Sequence, residues 1–458
     1  MADTREKALQ YAAGNRPQFL KQLKELISIP TISTDPEHVP DLKRGAEWIA
    51  DKLRQIGLEN VATMPTDGPD VVYGESMEAG PDAPTMLVYG HYDVQPADPL
   101  EMWESEPFEA TQRGDNLYAR GASDMKGQVM ASIFAIEAVK GNGGLPVNVK
   151  FMIEGEEEVG SGNLEVFTRE QKELLACDFA LNPDAGMIAP DLPTITYALR
   201  GLAYFEINLT GPNHDLHSGQ YGGAVRNPAN ELARLIAGMH DEKRRVTLPG
   251  FYDSVRALDK AERAELSRLP MDEEFYLKQT GAPVLWGEEG YTPVERTSGR
   301  PTLDVNGLFS GYTGEGSKTV LPAKAMAKVS MRLVPDQTPE EVHEQLVQYM
   351  EENAHPGVTW EVEMLSKGPA SISARDSAES KALSAALETV WGVRPLYKRE
   401  GGTIPIVAYM QNVLGAESLL TGFSLPDDAI HSPNEKVHLP TLYKGIDALI
   451  HFICNLAG

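Results

Sequence analysis

The sequence predicts an α/β protein in which a mixed sheet covered by helices on both faces is interrupted by a smaller inserted α+β domain. Three observations carry this. The apolar runs DVVYGES, TMLVYG, VNVKFMIEG and CDFALN, with the helical run MKGQVMASIFAIEAVK between the second and third, have the texture of strands buried on both faces. After Gly201 the pattern changes to half-buried alternation in AYFEINLTG, AKVSMRLVP and GVTWEVEML, with helical runs NPANELARLIAGM and TPEEVHEQLVQYMEE between them, which predicts strand, helix, strand units of the ferredoxin-like kind. From about residue 375 the first texture returns and ends in TLYKGIDALIHFICNLAG. The expected partition is therefore 1–199 and 375–458 as the two parts of a catalytic domain, with 200–374 as the insert. A chain of 458 residues is long enough for two or three domains.

Taken in order, the opening helix is expected to be capped by Asn15, with Pro17 in its first turn and Phe19, Leu20, Leu23, Leu26 and Ile27 as one apolar stripe before Pro30. A second helix is expected over 45–57. The acidic stretch 249–300, which contains glycine and proline, reads as a long excursion within the insert. There is no internal repeat and no low-complexity segment.

A hydrophobic fraction of 41% and a mean hydropathy of -0.30 fit a soluble globular protein. The formal charge of -26 argues against nucleic acid, whose phosphates need a basic face, and against anionic membrane surfaces. No apolar stretch reaches the roughly 18 to 20 residues of a membrane span, and the first residues lack the apolar core of a signal peptide. The expected location is the cytoplasm. Cys177 and Cys454 are too few for a disulfide framework or a thiolate zinc site, so any metal must be held by nitrogen and oxygen.

Acidic and histidine clusters fall where open α/β sheets place their ligands, just beyond strand ends or at a helix start. His91 and Asp93 follow TMLVYG, Asp124 enters a helix in RGASDMKG, and Glu156, Glu157 and Glu158 follow VNVKFMIEG. Asp184 follows CDFALNP, and His431 in DDAIHSPNE follows ESLLTGF. Singly, each has a plain structural alternative: a satisfied histidine, a helix N-cap for Asp124, a solvated acidic turn. Together, two histidines and several carboxylates suit a pair of zinc- or manganese-like ions bridged by one carboxylate.

The motifs GHYDVQP, ASDMKG, GEEEVGS, DLHSG, KTVLP, MRLVP, REGGTIP and HSPNE stand in this order between residues 91 and 435. In them the chain resembles the M20 metallopeptidases, most closely cytosolic nonspecific dipeptidases and carnosinase-like enzymes. The resemblance implies a phosphorylase/hydrolase-like catalytic domain and an insert that serves as lid and dimerisation domain. It implies two divalent ions per subunit, zinc or manganese, one on His91, Asp124 and Asp184 and the other on Asp124, Glu158 and His431. Asp93 would fix the His91 tautomer, and Glu157 would be the general base. Its neighbour Glu156 reads as a solvated residue. His217 would stabilise the oxyanion across a homodimer, and Arg332 would pair with the substrate carboxylate. Thr319, Gly402 and Thr403 match further substrate-contacting positions. The activity implied is hydrolysis of dipeptides with both termini free; the alternative is an N-acyl amino acid deacylase or related amidohydrolase. Aspartate at 184, where related carboxypeptidases and deacylases typically carry glutamate, favours the dipeptidase.

Overall fold

The computed structural model describes residues 2–402 and 404–457. Its contacts separate into two compact units, one formed by 1–197, 373–398 and 405–458 and the other by 198–372 and 399–404.

In the first unit the strands run side by side in the order Glu59–Met64, Val71–Ser76, Asn148–Glu154, Thr85–His91, Phe179–Asn182, Glu417–Leu420 and Thr194–Leu199. The middle four are mutually parallel, and the flanking pairs are antiparallel. The seven residues of Asn148–Glu154 are all buried, which explains a continuous apolar run where a one-sided strand would alternate. Helices Ala2–Ile27, Lys126–Gly141, Ala378–Trp391 and Leu439–Asn455 pack on one another, and Val39–Gln55 packs on the first two strands. Parallel neighbours end at the same edge of a sheet. His91 closes one strand, residues 156–158 and Asp184 follow two others, and His431 lies beyond the fourth.

The opening helix corrects the sequence expectation. It starts at Ala2 and carries Pro17 in its interior, while Asn15 is no cap, its side-chain nitrogen donating to the Tyr11 carbonyl at 2.8 Å. Proline removes one backbone donor and disfavours a helix interior, but Ala8, Ala12, Phe19 and Leu23 are buried on both sides of it, so packing outweighs the local preference. The second helix begins at Val39, with Pro40 in its first turn, six residues before its expected start.

The second unit holds an antiparallel sheet in the order Thr302–Ser310, Lys324–Leu333, Gly201–Thr210, Thr359–Gly368. With helices Pro228–Gly238 and Pro339–Asn353 between strands, this is the ferredoxin-like order. Ala203, Phe205, Ile207 and Leu209 alternate into a core with Ala327, Val329, Met331, Leu232 and Leu346. Arg332 and Ser330 belong to the opposite face by the period of two. The outer strand Thr302–Ser310 was invisible to pattern reading, because at the edge Asp304, Val305 and Asn306 are exposed in succession and Gly307 interrupts the run. The excursion at 249–300 contains short helices at Lys260–Leu266, Glu273–Thr280 and Pro293–Ser298.

Residues 399–404 group with the second unit although the sequence reading placed them in 375–458. Arg399 is buried and bonded to Glu262, its Nε lying 2.7 Å from Oε1. Among the described residues no helix is long and apolar enough to cross a membrane.

Candidate metal centre

Asp124 lies between two imidazoles. His91 Nε2 stands 3.2 Å from its Oδ1 and His431 Nε2 stands 3.0 Å from its Oδ2. His431 Nε2 is also 3.1 Å from Glu158 Oε2. Donor atoms of His91, Asp124 and Asp184 lie within 4.8 Å of one another, as do those of Asp124, Glu158 and His431. Asp124 is thus common to two clusters. It is not the helix cap that its position suggested, for Lys126–Gly141 begins without a side-chain cap.

Asp93 is fully buried and does two jobs. Its Oδ1 is 3.3 Å from His91 Nδ1, and its Oδ1 and Oδ2 accept the backbone N–H groups of Glu157 and Glu158 at 3.2 and 3.0 Å. One carboxylate therefore orients a histidine from the end of one strand and the turn that follows its neighbour. The nearer Nδ1 contact is the Asp93 carbonyl at 3.1 Å. Asp184 is set by its own backbone, its N–H donating to Asn182 Oδ1 at 2.8 Å.

The electrostatics follow from crowding. Burial pushes Asp184 well above the usual carboxylate range, and the charge on Asp124 adds to it. Burial, reinforced by Glu158, Asp124 and Asp93 and opposed by His91, pushes Glu157 up to about 7. For Asp124, burial is outweighed by hydrogen bonds to His431 and His91, which hold it below its ordinary value. The bonds of His431 to Asp124 and then to Glu158 in turn raise it to about 10. Five carboxylates, Asp93, Asp124, Glu157, Glu158 and Asp184, face two imidazoles here, so the cluster demands more positive charge than the protein supplies. Imidazole nitrogens and carboxylate oxygens without thiolates are the donor set of zinc, manganese or cobalt. The residues fit a pair of such ions.

Some residues that shape this centre escaped sequence reasoning. Glu435 is fully buried; it accepts the backbone N–H groups of Gly121 (3.0 Å), Ser123 (3.0 Å) and Asp124 (3.1 Å) and a bond from Arg120 at 2.7 Å. It thereby fixes the turn that presents Asp124. Gln95 donates to Glu158 Oε2 at 2.9 Å. Both stand inside the quoted motifs, HSPNE and HYDVQP, and that neighbourhood was the available signal. Glu156 corrects an expectation: it is buried, and its oxygens accept from Asn163 N (2.6 Å) and Asn163 Nδ2 (2.8 Å), so it braces the acidic turn from within. The backbone around His431 is left-handed at Ala429, His431 and Asn434, with φ of 55°, 60° and 63°, conformations that persist where surroundings over-determine them.

The remaining expected residues lie in the second unit. His217 is exposed and pairs with Val320 in a two-residue ladder, and Ser218 N donates to the Thr319 carbonyl at 3.0 Å. His217 and Thr319 are thus neighbours. Arg332 stands on the strand Lys324–Leu333 and lines a cavity. Gly402 is exposed, with open space where a side chain would start. Thr403 lies outside the described residues.

Residues 87–455 match Peptidase family M20/M25/M40, and the chain belongs to that family. The Cys-Gly metallodipeptidase of Schizosaccharomyces pombe is 30% identical over 483 residues, covering 99% of this chain and 98% of the relative. Human carnosine dipeptidase 1 superposes with a TM-score of 0.74 at 30% identity, covering 99% of this chain and 98% of that one. The M20 family metallo-carboxypeptidase Sso-CP2 from Sulfolobus solfataricus gives 0.82 at 33% identity, with 96% and 99% covered.

Proposed function

We propose that this protein hydrolyses the peptide bond of dipeptides whose amino and carboxyl termini are both free, at two divalent ions of zinc or manganese. The observation that carries the reading is the position of Asp124, with one histidine on each oxygen and a further carboxylate on either side. His91, Asp124 and Asp184 hold one ion, and Asp124, Glu158 and His431 the other. Bound there, the ions polarise a carbonyl and make a water acidic enough to lose its proton near neutral pH. Glu157 takes that proton and later returns it to the leaving amine; a carboxyl pushed up to about 7 is suited to both directions. Asp93 keeps Glu157 and His91 in fixed relation through the bonds described above.

His217 Nδ1 accepts the Gly219 N–H at 3.0 Å, which puts the imidazole proton of the neutral ring on Nε2. That proton is the donor for an oxyanion in the active site of a partner subunit. A homodimer is supported by the outer edge of Thr302–Ser310, which pairs with no further strand among the described residues and where Leu308 and Phe309 are 60% and 57% exposed; such edges invite strand pairing. Arg332 takes the substrate carboxylate, with Thr319, Gly402 and Thr403 as further contacts, and the enzyme works in the cytoplasm. Mixing His217→Ala with Glu157→Gln subunits restores part of the activity if the sites are shared; no recovery rules the sharing out.

The test is a panel of free dipeptides, N-acetylated amino acids and one tripeptide, given to chelator-stripped protein resupplied with zinc or manganese. Metal-dependent cleavage confined to dipeptides is the expected result. Cleavage of the acyl amino acids would make the protein a deacylase. The likeness to a metallo-carboxypeptidase favours a second reading, in which the tripeptide loses its last residue.

A further inference from the structure

The two candidate ion sites are not built alike. His91 closes a strand and is fully buried, whereas His431 is half-exposed on an excursion, residues 429–435, whose backbone is left-handed at Ala429, His431 and Asn434. His431 Nε2 bonds Asp124 and Glu158, the carboxylates that would share its ion. A nitrogen that coordinates an ion has no proton to donate, so ion binding removes those bonds. The place of His431 then depends on how the excursion itself is held.

Asp428 does the holding. It is fully buried. Its Oδ2 accepts the Leu425 N–H and the Ser123 hydroxyl, each at 2.8 Å, and its Oδ1 accepts from Lys436 Nζ at 2.9 Å. Its backbone closes the same loop, for Asp428 N–H donates to the Leu425 carbonyl and Lys436 N–H donates to the Asp428 carbonyl, both at 3.0 Å. A buried carboxylate is costly unless it is paired and hydrogen-bonded, and these donors belong to the two segments that meet at His431 and Asp124. The far end of the excursion has further anchors: Lys436–His438 pairs with Asn116–Tyr118, and Glu435 bonds Arg120 and the backbone of Gly121, Ser123 and Asp124. The near end, which carries His431, leans on Asp428 and on a long bond, 3.4 Å, from Arg120 to the Ser432 carbonyl. Glu435 therefore fixes the carboxylate common to both ions, and Asp428 the histidine that belongs to one.

We propose that Asp428 is a positioning residue that sets the affinity for one ion, that of Asp124, Glu158 and His431, and leaves its neighbour on His91, Asp124 and Asp184 unaffected. The proposal rests on the two-ion reading and on no particular substrate. Chelator-stripped full chain is titrated with Mn²⁺, with bound ion followed by calorimetry and free ion by its paramagnetic resonance signal. The native chain takes up two ions. In Asp428→Asn the affinity for one falls roughly 10- to 100-fold, while the other changes by less than about twofold. Placed on top of His431→Ala, which already lacks the affected site, Asp428→Asn alters the remaining affinity by less than about twofold. Ser123→Ala deletes one hydroxyl from the link and weakens the same ion by about threefold or more; it decides the matter if Asp428→Asn does not fold. Two affinities that fall together overturn the proposal, as does a further loss when Asp428→Asn joins His431→Ala. A lower melting temperature with both affinities intact, the mark of a purely structural role, overturns it too. A native chain that takes up fewer than two ions overturns the two-ion reading itself, a failure visible before any variant is made.

Discussion

Asp124 in the first unit and Glu231 in the second are both carboxylates gripped from two sides, yet only one grip is complete. Glu231 is fully buried; Arg226 Nε bonds its Oε2 at 2.7 Å, while Arg234 Nη2 and the His355 N–H bond Oε1 at 2.5 and 3.0 Å. Burial there is outweighed by Arg234 and its companions, which bring the carboxyl down to about 2. Guanidiniums stay charged at any ordinary pH, so this cluster is self-sufficient. Asp124 has only imidazoles beside it and four more carboxylates around them. The Glu231 carboxylate carries its own counter-charge, whereas the Asp124 cluster leaves charge for something else to supply.

The sharpest way to break the contrast is Glu157→Gln, which removes the proposed base but no proposed ligand. Turnover falls by about a thousandfold or more while the bound metal, measured by atomic absorption, stays at its original ratio. Unchanged turnover removes Glu157 from that role.

Next in size is Glu231→Gln. Stripping the charge from a buried carboxylate whose arginine partners are 33% and 48% exposed destabilises by about 2 kcal/mol, read as a lower denaturation midpoint, with metal content unaffected. The pH dependence has a definite sign. The folded pKa lies below the ordinary 4.5, so the contribution is fully present above about pH 4.5 and is lost as pH falls towards 2. The stability gap between native and Glu231→Gln chains should close over that interval; a constant gap contradicts the assignment.

Glu435→Gln keeps the shape of the carboxylate but replaces one acceptor of backbone N–H groups by a donor. Metal affinity drops by roughly 10- to 100-fold in a chain that still folds, as a metal titration followed by circular dichroism would show. The smallest effect belongs to Arg169→Ala. Its partner Glu165 lies one helical turn away at 2.6 Å on an exposed face, and such pairs contribute less than about 0.5 kcal/mol.

Much of the centre was legible because its parts sit at strand ends. TMLVYG, VNVKFMIEG and CDFALN are buried strands that pattern reading finds, and His91, Glu157, Glu158 and Asp184 are the polar residues that follow them. Legibility failed where environment overrules local pattern. Glu156 reads like its acidic neighbours but is buried against Asn163. Helix Ala2–Ile27 runs through Pro17 because its flanks are packed, and the edge strand Thr302–Ser310 shows too little alternation to be seen.

Read alone, the chain decides which kinds of atom are available: imidazoles and carboxylates for ions, few thiols, a formal net charge of -26, and motifs in the order of one peptidase family. The folded arrangement decides which of them meet. Asp124 and His431 stand 307 positions apart and touch at 3.0 Å; Glu435 reaches back to Gly121, Ser123 and Asp124; Arg200 lies against Gly401. Neighbours in a sheet are chosen by backbone pairing and core packing, which a linear pattern does not encode, so the distances that turn a list of donors into a site exist only once the strands lie side by side.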